Sequence, residues 1–180
     1  RFKVGSIRDH VIGFRAVNGT GDIIKSGGNV VKNVTGYDLC KLICGSFGTL
    51  VALTELTFKV LPAKENNNTL AIHELSIKDA ITILNKVASS SSDTSGAVFL
   101  PLEPKNGNYE QNIEKLFKLN DLQYKGPFTA IRLEGSKTSI QERLANLKKE
   151  LDLDSKEISN LDTYQSILFW EKIKNLEFFN

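Results

Sequence analysis

The fold is decided first by residues 11–22, which read Val11-Ile12-Gly13-Phe14-Arg15-Ala16-Val17-Asn18-Gly19-Thr20-Gly21-Asp22. Positions 11–17 are mostly apolar or β-branched, a composition that favours a strand. Positions 18–22 then predict a hairpin turn, because Asn and Gly accept positive φ angles at little cost. The chain is expected to return as a second strand over Asp22–Lys25.

Two further elements are predicted in the N-terminal part, residues 1–62. Gly36–Cys44 predicts a short helix that Thr35 caps, with Leu39 and Ile43, and Leu42 as a further candidate, facing the core. Thr49–Leu61 alternates as a long strand, and Pro62 ends it. One face of this strand would carry Leu50, Ala52, Leu56, Phe58 and Val60, and the other Glu55, Thr57 and Lys59.

The C-terminal part, residues 69–180, follows a polar stretch at 63–68 that reads as a linker. Strands are predicted at Thr69–His73, Gly96–Leu100 and Phe128–Leu133. Helices are predicted from Ser76, over Tyr109–Leu119, from a cap at Thr138-Ser139-Ile140-Gln141, and from Asp162 to Asn175. This order of elements suits a ferredoxin-like antiparallel sheet with helices on one face, so the predicted fold class is α+β.

Composition argues against several classes of function. The 180 residues carry a net charge of +2, which disfavours a nucleic-acid partner, including for a small ferredoxin-like binder. No apolar run approaches the roughly 18 residues of a membrane helix. Cys40 and Cys44 alone make no disulfide framework, so a cytoplasmic location is expected. The chain has no Met, even at position 1, and we expect it to begin inside a longer sequence, with trimming as the alternative.

Short motifs follow one another in a fixed order through the first 62 residues. They are Gly5-Ser6-Ile7-Arg8-Asp9, Val11-Ile12-Gly13, Gly27-Gly28, Lys32-Asn33-Val34-Thr35-Gly36-Tyr37-Asp38, Gly45-Ser46-Phe47-Gly48-Thr49-Leu50 and Thr54-Glu55-Leu56-Thr57-Phe58-Lys59-Val60-Leu61-Pro62. The series resembles the second half of the FAD-binding domain in the p-cresol methylhydroxylase/vanillyl-alcohol oxidase superfamily. Within that superfamily it is similar to the FAD-binding E subunit of glycolate oxidase, as is the tail around Phe169-Trp170-Glu171-Lys172-Ile173.

The resemblance implies a fold and a task. Residues 1–62 would be the second subdomain of a p-cresol methylhydroxylase-type FAD-binding domain, and residues 69–180 a ferredoxin-like cap domain. The chain would be an FAD-binding, electron-transfer subunit of a complex that oxidises glycolate to glyoxylate. A second flavoprotein and an iron–sulfur protein would be its partners, either in the cytoplasm or at a membrane through the complex.

The resemblance also implies which residues would hold FAD. Gly5 and Ser6 stand where the family brings main chain against the cofactor, and Val11 begins the strand that runs along it. Gly48 opens the family's Gly-x-x-Gly-Val-Ile pattern, in which Leu53 takes the last place and would meet the adenosine through its backbone. Asp9 has two roles open to it, a structural one through nearby backbone amides and a role in the cofactor site.

Two departures from the family pattern lower the expected affinity for FAD. Val51 replaces the second glycine of the Gly48 pattern, and its side chain would block a close approach there. The family's pyrophosphate-binding loop lies upstream of every residue in this chain. We therefore expect FAD to bind weakly or not at all to this chain alone, and to require a complementing N-terminal half.

Other polar residues carry weaker hypotheses. Lys32 and Asn33 precede a predicted helix and could hold an anion, with a solvated lysine as the alternative. Cys40 and Cys44 are expected to pack as small apolar residues rather than bind metal, and no metal site is predicted. His10, His73 and Arg132 are read as structural residues, although Arg132 could bind a carboxylate. No general base for oxidising a hydroxy acid is evident, so the chain is not expected to be active alone.

Two functions remain open from sequence. The first is the electron-transfer subunit described above. The second is a truncated, non-enzymatic module that no longer binds FAD alone and docks on partner subunits, for which the aromatic C-terminus with Phe169, Trp170, Phe178 and Phe179 is suited. Residues 101–126 are longer than expected between two cap strands, and either alter docking or loop over the surface.

Overall fold

A computed structural model describes residues 3–30, 36–101, 126–153 and 156–177 of the chain. The chain divides into two units, Lys3–Ala63 and Lys64–Asn180. The assignment of these units to a flavin subdomain and a cap remains a prediction. The helix expected at Tyr109–Leu119 and most of the long 101–126 segment lie outside the described residues.

The N-terminal unit is a three-stranded antiparallel sheet with one short helix. It contains β1 (Val11–Asn18), β2 (Ile23–Gly27), α1 (Leu39–Ile43) and β3 (Val51–Phe58), preceded by a 3-10 turn at Ile7–Asp9. The strand order is β2-β1-β3. The predicted hairpin is confirmed, because the Asn18 side-chain oxygen accepts hydrogen bonds from the backbone amides of Thr20 at 3.0 Å and Asp22 at 2.8 Å.

The core of this unit lies between the sheet and α1. Its buried residues are Val11, Phe14, Ala16, Cys40 and Ile43, with Ile24, Cys44 and Val51 packed against them. The helix packs mainly on β1 and β2. It is shorter than predicted, and its N-terminal cap is Asp38 rather than Thr35, which lies outside the described residues.

Two predictions about side-chain faces in this unit are wrong, the first in full and the second in part. Leu39 and Leu42 were expected in the core but are exposed, because a helix of five residues turns only one narrow face to the sheet. Leu56 and Phe58 share a face, as predicted, but Leu50 and Ala52 do not lie on it, because a register shift between Arg15 and Ala16 turns Val51 toward the core. Leu50, Leu56, Phe58 and Val60 are all exposed. A strand pattern specifies which residues share a face but not whether anything covers that face.

The described residues of the C-terminal unit form a four-stranded antiparallel sheet with helices on both faces. Its elements are β4 (Asn66–His73), α2 (Ile77–Ser89), β5 (Gly96–Leu100), β6 (Phe128–Gly135), α3 (Lys137–Glu150), β7 (Ile158–Leu161) and α4 (Thr163–Lys174). The strand order β5-β6-β4-β7, with the sequence βαββαβ, is the ferredoxin-like topology. The predicted α+β class is therefore confirmed.

Three details of this unit differ from prediction. Strand β4 begins at Asn66, inside the predicted linker, because Asn66, Asn67 and Asn68 pair with β6. Strand β7 was not predicted, since its four residues carry little apolar pattern, but it pairs with β4. Helix α3 begins two residues earlier than expected, with Ser136 instead of Thr138 as its cap, and the Ser136 hydroxyl accepts a hydrogen bond from the Ser139 amide at 3.4 Å.

Each face of the C-terminal sheet has its own core, because α2 and α3 lie on one face, as expected, whereas the tail helix α4 lies on the other. Leu70, Ile72 and Ile131 face α2 and α3. The alternate residues Ala71, Phe128 and Ala130 face α4, which buries Phe169 against them. Helix α4 starts at the predicted capping box, where Asp162 and Gln165 exchange hydrogen bonds of 2.9 and 2.8 Å.

Candidate functional site

The Gly5–Asp9 turn is held by its own polar groups. The amide and the hydroxyl of Ser6 both donate to Oδ2 of Asp9 at 2.8 Å. These donors, with Lys41 and Arg8 nearby, hold the pKa of Asp9 below its usual value. Gly5 has a φ of +75°, and a Cβ there would lie 2.8 Å from Oδ2 of Asp9. Of the two roles open to Asp9, the structural one is therefore present.

A cleft lies beside this turn, within the N-terminal unit. Its volume is about 220 Å³, below the roughly 300–1,000 Å³ of small-molecule pockets, so it cannot enclose a whole dinucleotide. Asp9 and Asp38 contribute negative charge, whereas Lys41 and Lys59 contribute positive charge. The lining also includes Val11, Ile12, Ser26, Gly27, Val30, Gly36, Tyr37 and Cys40.

Lys41, one of the charged residues of the cleft, joins α1 to the turn together with Arg8. The Lys41 ammonium donates to the carbonyl of Arg8, and Arg8 Nε donates to the carbonyl of Lys41 at 3.2 Å. Lys41 and Lys59 were not predicted as site residues, because charged residues on a helix and a strand read as solvated. Their only signal in the sequence is that Lys59 belongs to the last motif of the ordered series.

The Gly48–Leu53 segment lies at the other end of the same sheet. Gly48 has a φ of +76° and open space where a side chain would stand. Leu53 is 46% exposed. Val51 packs against the core of the unit, so its side chain does not project as the predicted obstacle. This end of the sheet is therefore open at both the glycine and the leucine.

The predicted cofactor residues thus form two groups. Gly5, Ser6, Asp9 and Val11 lie at one end of β1, whereas Leu53 pairs with Ala16 near the other end. Five residues of extended strand separate Val11 from Ala16, a distance of roughly 15 Å. Only an extended ligand could touch both groups. At Val11 such a ligand could contact the backbone but not the side chain, because the Val11 side chain is buried.

The start of α1 is not a free anion site. Asp38 caps the helix by accepting a hydrogen bond from the Lys41 amide at 3.3 Å, so a carboxylate already occupies the place of an anion. The helix is also only five residues long. The residues of the anion hypothesis, Lys32 and Asn33, lie outside the described part of the chain. Within residues 3–30 and 36–63, the start of α1 therefore offers no open place for an anion.

The cysteines are free thiols that pack against the core. Cys40 is buried, and its burial, followed by the nearby carboxylate of Asp38, raises the pKa of its thiol. Cys44 is partly buried beside it. In the described ranges, no three side chains of His, Cys, Asp or Glu come together as metal ligands.

The two histidines and Arg132 hold parts of the fold. His10 lies between the carbonyls of Val4 and Lys59, at 2.8 and 3.1 Å. His73 is buried, with Nε2 2.9 Å from the hydroxyl of Ser159. Arg132 donates to the Ser95 hydroxyl at 3.0 Å and stacks 4.9 Å from the ring centre of Trp170. These contacts are structural, as the sequence suggested.

Comparison with known proteins links the chain to FAD-dependent oxidoreductases. Over 78 residues, 43% of this chain and 22% of the relative, it is 45% identical to the glycolate oxidase subunit GlcE of Escherichia coli (strain K12). Over 88 residues, 48% of this chain and 19% of the relative, it is 43% identical to the glycolate oxidase subunit GlcD of Bacillus subtilis (strain 168). No protein-family model matches the chain.

The fold has a solved counterpart. A structure of alkyldihydroxyacetonephosphate synthase superposes with a TM-score of 0.65 at 20% identity, over 98% of this chain and 33% of that one. The resemblance that the motifs predicted is confirmed, because the chain is similar in sequence to glycolate oxidase subunits and in fold to alkyldihydroxyacetonephosphate synthase. Its sequence relatives include glycolate oxidase subunits, and the chain spans about a fifth of the length of those two relatives. No helix among the described residues is long and apolar enough to cross a membrane.

Proposed function

We propose that this chain contributes one half of the flavin site in a glycolate oxidase-type 2-hydroxy-acid dehydrogenase complex. The observation that carries the proposal is the 45% identity over 78 residues to a glycolate oxidase subunit. In this role the N-terminal unit is the second flavin subdomain, and the C-terminal ferredoxin-like unit is the cap. The partners are a second flavoprotein and an iron–sulfur protein, and the complex works in the cytoplasm or at a membrane surface.

The geometry supports a half-site rather than a complete one. Gly5 and Ser6 would present main chain at one end of the cofactor, and Gly48 and Leu53 would do so at the other. The small cleft, the occupied cap at Asp38 and the balance of charges leave the pyrophosphate to another polypeptide segment. FAD, when bound, would accept the two electrons released as a 2-hydroxy acid becomes a 2-oxo acid. We propose that this chain binds FAD weakly or not at all until the complementing N-terminal half is present.

A titration with FAD, followed by flavin fluorescence, tests this proposal. The purified chain is titrated alone and then with a recombinant N-terminal segment of a glycolate oxidase FAD subunit. We expect saturable binding only in the second case. If the mixture fails to bind FAD, the half-site proposal is wrong.

A matched pair of glycine variants then locates the site. Gly48→Ala and Gly21→Ala each place a Cβ at a positive φ, of +76° and +90°, with no neighbouring atom within 4 Å. Both variants carry the same backbone strain, but only Gly48 is in the proposed site. We expect Gly48→Ala to lower the affinity for FAD in the complemented state about tenfold, equivalent to about 1.4 kcal/mol. Gly21→Ala should bind like the unaltered chain.

A second candidate function is a docking module without flavin. The observation that favours it is the number of exposed apolar side chains in the N-terminal unit, among them Tyr37 at 91% and Phe47 at 98%. Exposed apolar side chains at this density mark interaction surfaces. A chain that stays colourless with FAD and its N-terminal complement, yet coelutes with a purified recombinant partner subunit, would favour this function over the first.

A further inference from the structure

His10 joins the Gly5–Asp9 turn to the end of the N-terminal sheet. Its Nε2 atom lies 2.8 Å from the carbonyl oxygen of Val4, and its Nδ1 atom lies 3.1 Å from that of Lys59. The backbone makes a similar connection, because the His10 amide donates to the Ile7 carbonyl at 3.0 Å and the Lys59 amide donates to the His10 carbonyl at 2.8 Å. The imidazole ring is therefore a bridge between the residue before the turn and the residue after β3.

The two contacts of the ring require two donors. A carbonyl oxygen only accepts hydrogen bonds, whereas a neutral imidazole has one N–H group and one nitrogen with a lone pair. A neutral His10 can therefore satisfy Val4 or Lys59 but not both, and its second nitrogen would turn a lone pair toward the other carbonyl. The imidazolium form donates to both oxygens. The complete bridge thus exists only when the ring carries two protons.

The charges around the bridge allow the ring to gain and lose the second proton. The carboxylate of Asp9 accepts hydrogen bonds within the turn, and that of Asp38 caps α1. Arg8 and Lys41 donate to each other's backbone carbonyls. The charged residues of the segments that meet at His10, and of α1 beside the turn, are Lys3, Arg8, Asp9, Asp38, Lys41 and Lys59. This mostly cationic set opposes the two carbonyls, which favour the charged ring, so we expect His10 to titrate in the range of about pH 5 to 8 that is usual for histidine.

We infer that His10 is a positioning residue of the proposed flavin half-site, and that it holds the turn in place as an imidazolium. Hydrogen bonds between Ser6 and Asp9 fix the shape of the turn but not its place relative to β3. The Val4 carbonyl belongs to the same planar peptide unit as the Gly5 amide, so its bond to His10 sets the direction in which Gly5 presents its main chain. Loss of one ring proton breaks the bridge and loosens the turn. The role toward flavin rests on the proposed half-site, whereas the bridge itself does not.

NMR spectroscopy of the full chain tests the bridge without flavin. At about pH 5.5 we expect separate Nδ1–H and Nε2–H signals from His10, since hydrogen-bonded ring protons exchange slowly with water. The chain has two histidines, His10 and His73, so the spectrum of His10→Gln assigns the signals. Protection factors, which correct for the intrinsic exchange rate, should fall about threefold between about pH 5.5 and about pH 8 at the amides of Ser6, Asp9 and Lys59.

His10→Gln removes the titration but keeps a side-chain donor. A glutamine amide has one nitrogen, which reaches only one of the two carbonyls, and it takes up no proton near neutral pH. In this variant the protection of the turn should be equal at both pH values. The amides of Thr20 and Asp22, which donate to Asn18 in the β1–β2 hairpin, report the folding of the unit. Their protection should be the same at both pH values in both proteins.

A titration with FAD then links the bridge to the proposed site. With the complementing N-terminal half present, the Kd for FAD should rise about threefold from about pH 5.5 to about pH 8 in the unaltered chain and stay level in His10→Gln. Turn amides that are equally protected at both pH values, or a pH response that the two proteins share, would overturn the inference about His10. A mixture that binds no FAD at either pH would instead refute the half-site proposal, because the NMR measurement involves no flavin.

Discussion

The close packing of Gly27 against β1 leads to a sharp prediction about the N-terminal unit. Gly27 has a φ of +73°, and a Cβ there would stand 2.1 Å from the carbonyl oxygen of Ile12 and 2.7 Å from Cα of Gly13. The adjacent Gly28 amide donates to that same Ile12 carbonyl at 3.2 Å. A methyl group at position 27 must therefore push the two strands apart and weaken this hydrogen bond.

The magnitude follows from comparing two identical substitutions. Gly21→Ala costs only the left-handed backbone strain, about 1–2 kcal/mol, because nothing lies within 4 Å of its Cβ position. Gly27→Ala carries the same strain and adds the cost of overpacking, about 1–3 kcal/mol or more. We expect Gly27→Ala to lower the free energy of unfolding of this unit by about 2 kcal/mol more than Gly21→Ala.

Hydrogen exchange followed by mass spectrometry is the suitable assay, because it reports β1 and β2 separately from the C-terminal unit. Trp170 fluorescence would report the C-terminal unit alone, where the only tryptophan lies. Peptides covering β1 should exchange about 30-fold faster in Gly27→Ala than in Gly21→Ala. Free energies for the two variants that agree within about 0.5 kcal/mol would refute the steric argument.

Two further predictions concern the other core and the buried thiol. Phe169→Ala removes a fully buried ring whose centre lies 6.0 Å from the ring centre of Phe128 and 5.3 Å from that of Trp170. It should lower the free energy of unfolding in urea by about 3–5 kcal/mol and shift the Trp170 emission to the red. Ile167→Ala, on the exposed side of α4, is the control and should change that free energy by less than about 0.5 kcal/mol. Cys40 should react with iodoacetamide more slowly than Cys44, and equal rates would contradict its burial. The pKa of Cys40 is higher in the folded chain than in the unfolded chain, so the protonated thiol favours the folded state. The resulting contribution to the free energy of unfolding is complete below the unfolded pKa of about 8.5 and is lost as the pH rises through the folded pKa. Urea unfolding of the Cys40→Ser variant should lack that alkaline loss.

Local sequence chemistry specified the turns and helix starts where the responsible residues were close together. The hairpin at Asn18 and the capping box of Asp162 with Gln165 depend on contacts within four residues, so pattern and structure agree. The cap of α1 was misread, because Asp38 stands inside the segment that was read as helical and the helix begins only after it. Among several polar candidates, only the backbone path decides which one reaches the free amides.

Elements that depend on distant partners were harder to predict. Three asparagines in a row read as a linker, yet Asn66–Asn68 form a strand because β6 supplies their hydrogen-bond partners. Strand β7 has only four residues and relies on β4 in the same way. The candidate site also depends on distant partners. The sequence indicated Gly5 and Gly48, but the pairing of β1 with β3 is needed to see that they lie at opposite ends of the sheet.

The alternation along β3 leaves undecided whether its apolar side chains are covered. Leu56 and Phe58 share a face, as predicted, and beside them Val11 and Phe14 on β1 are buried under the same face. The difference between buried and exposed arises because α1 is too short to extend over the third strand. An uncovered strand of this kind is costly for an isolated protein, so its sequence should be suited to whatever covers it. In β3 the exposed Leu53 lies at the end of the sheet where FAD and its complementing polypeptide are proposed to bind.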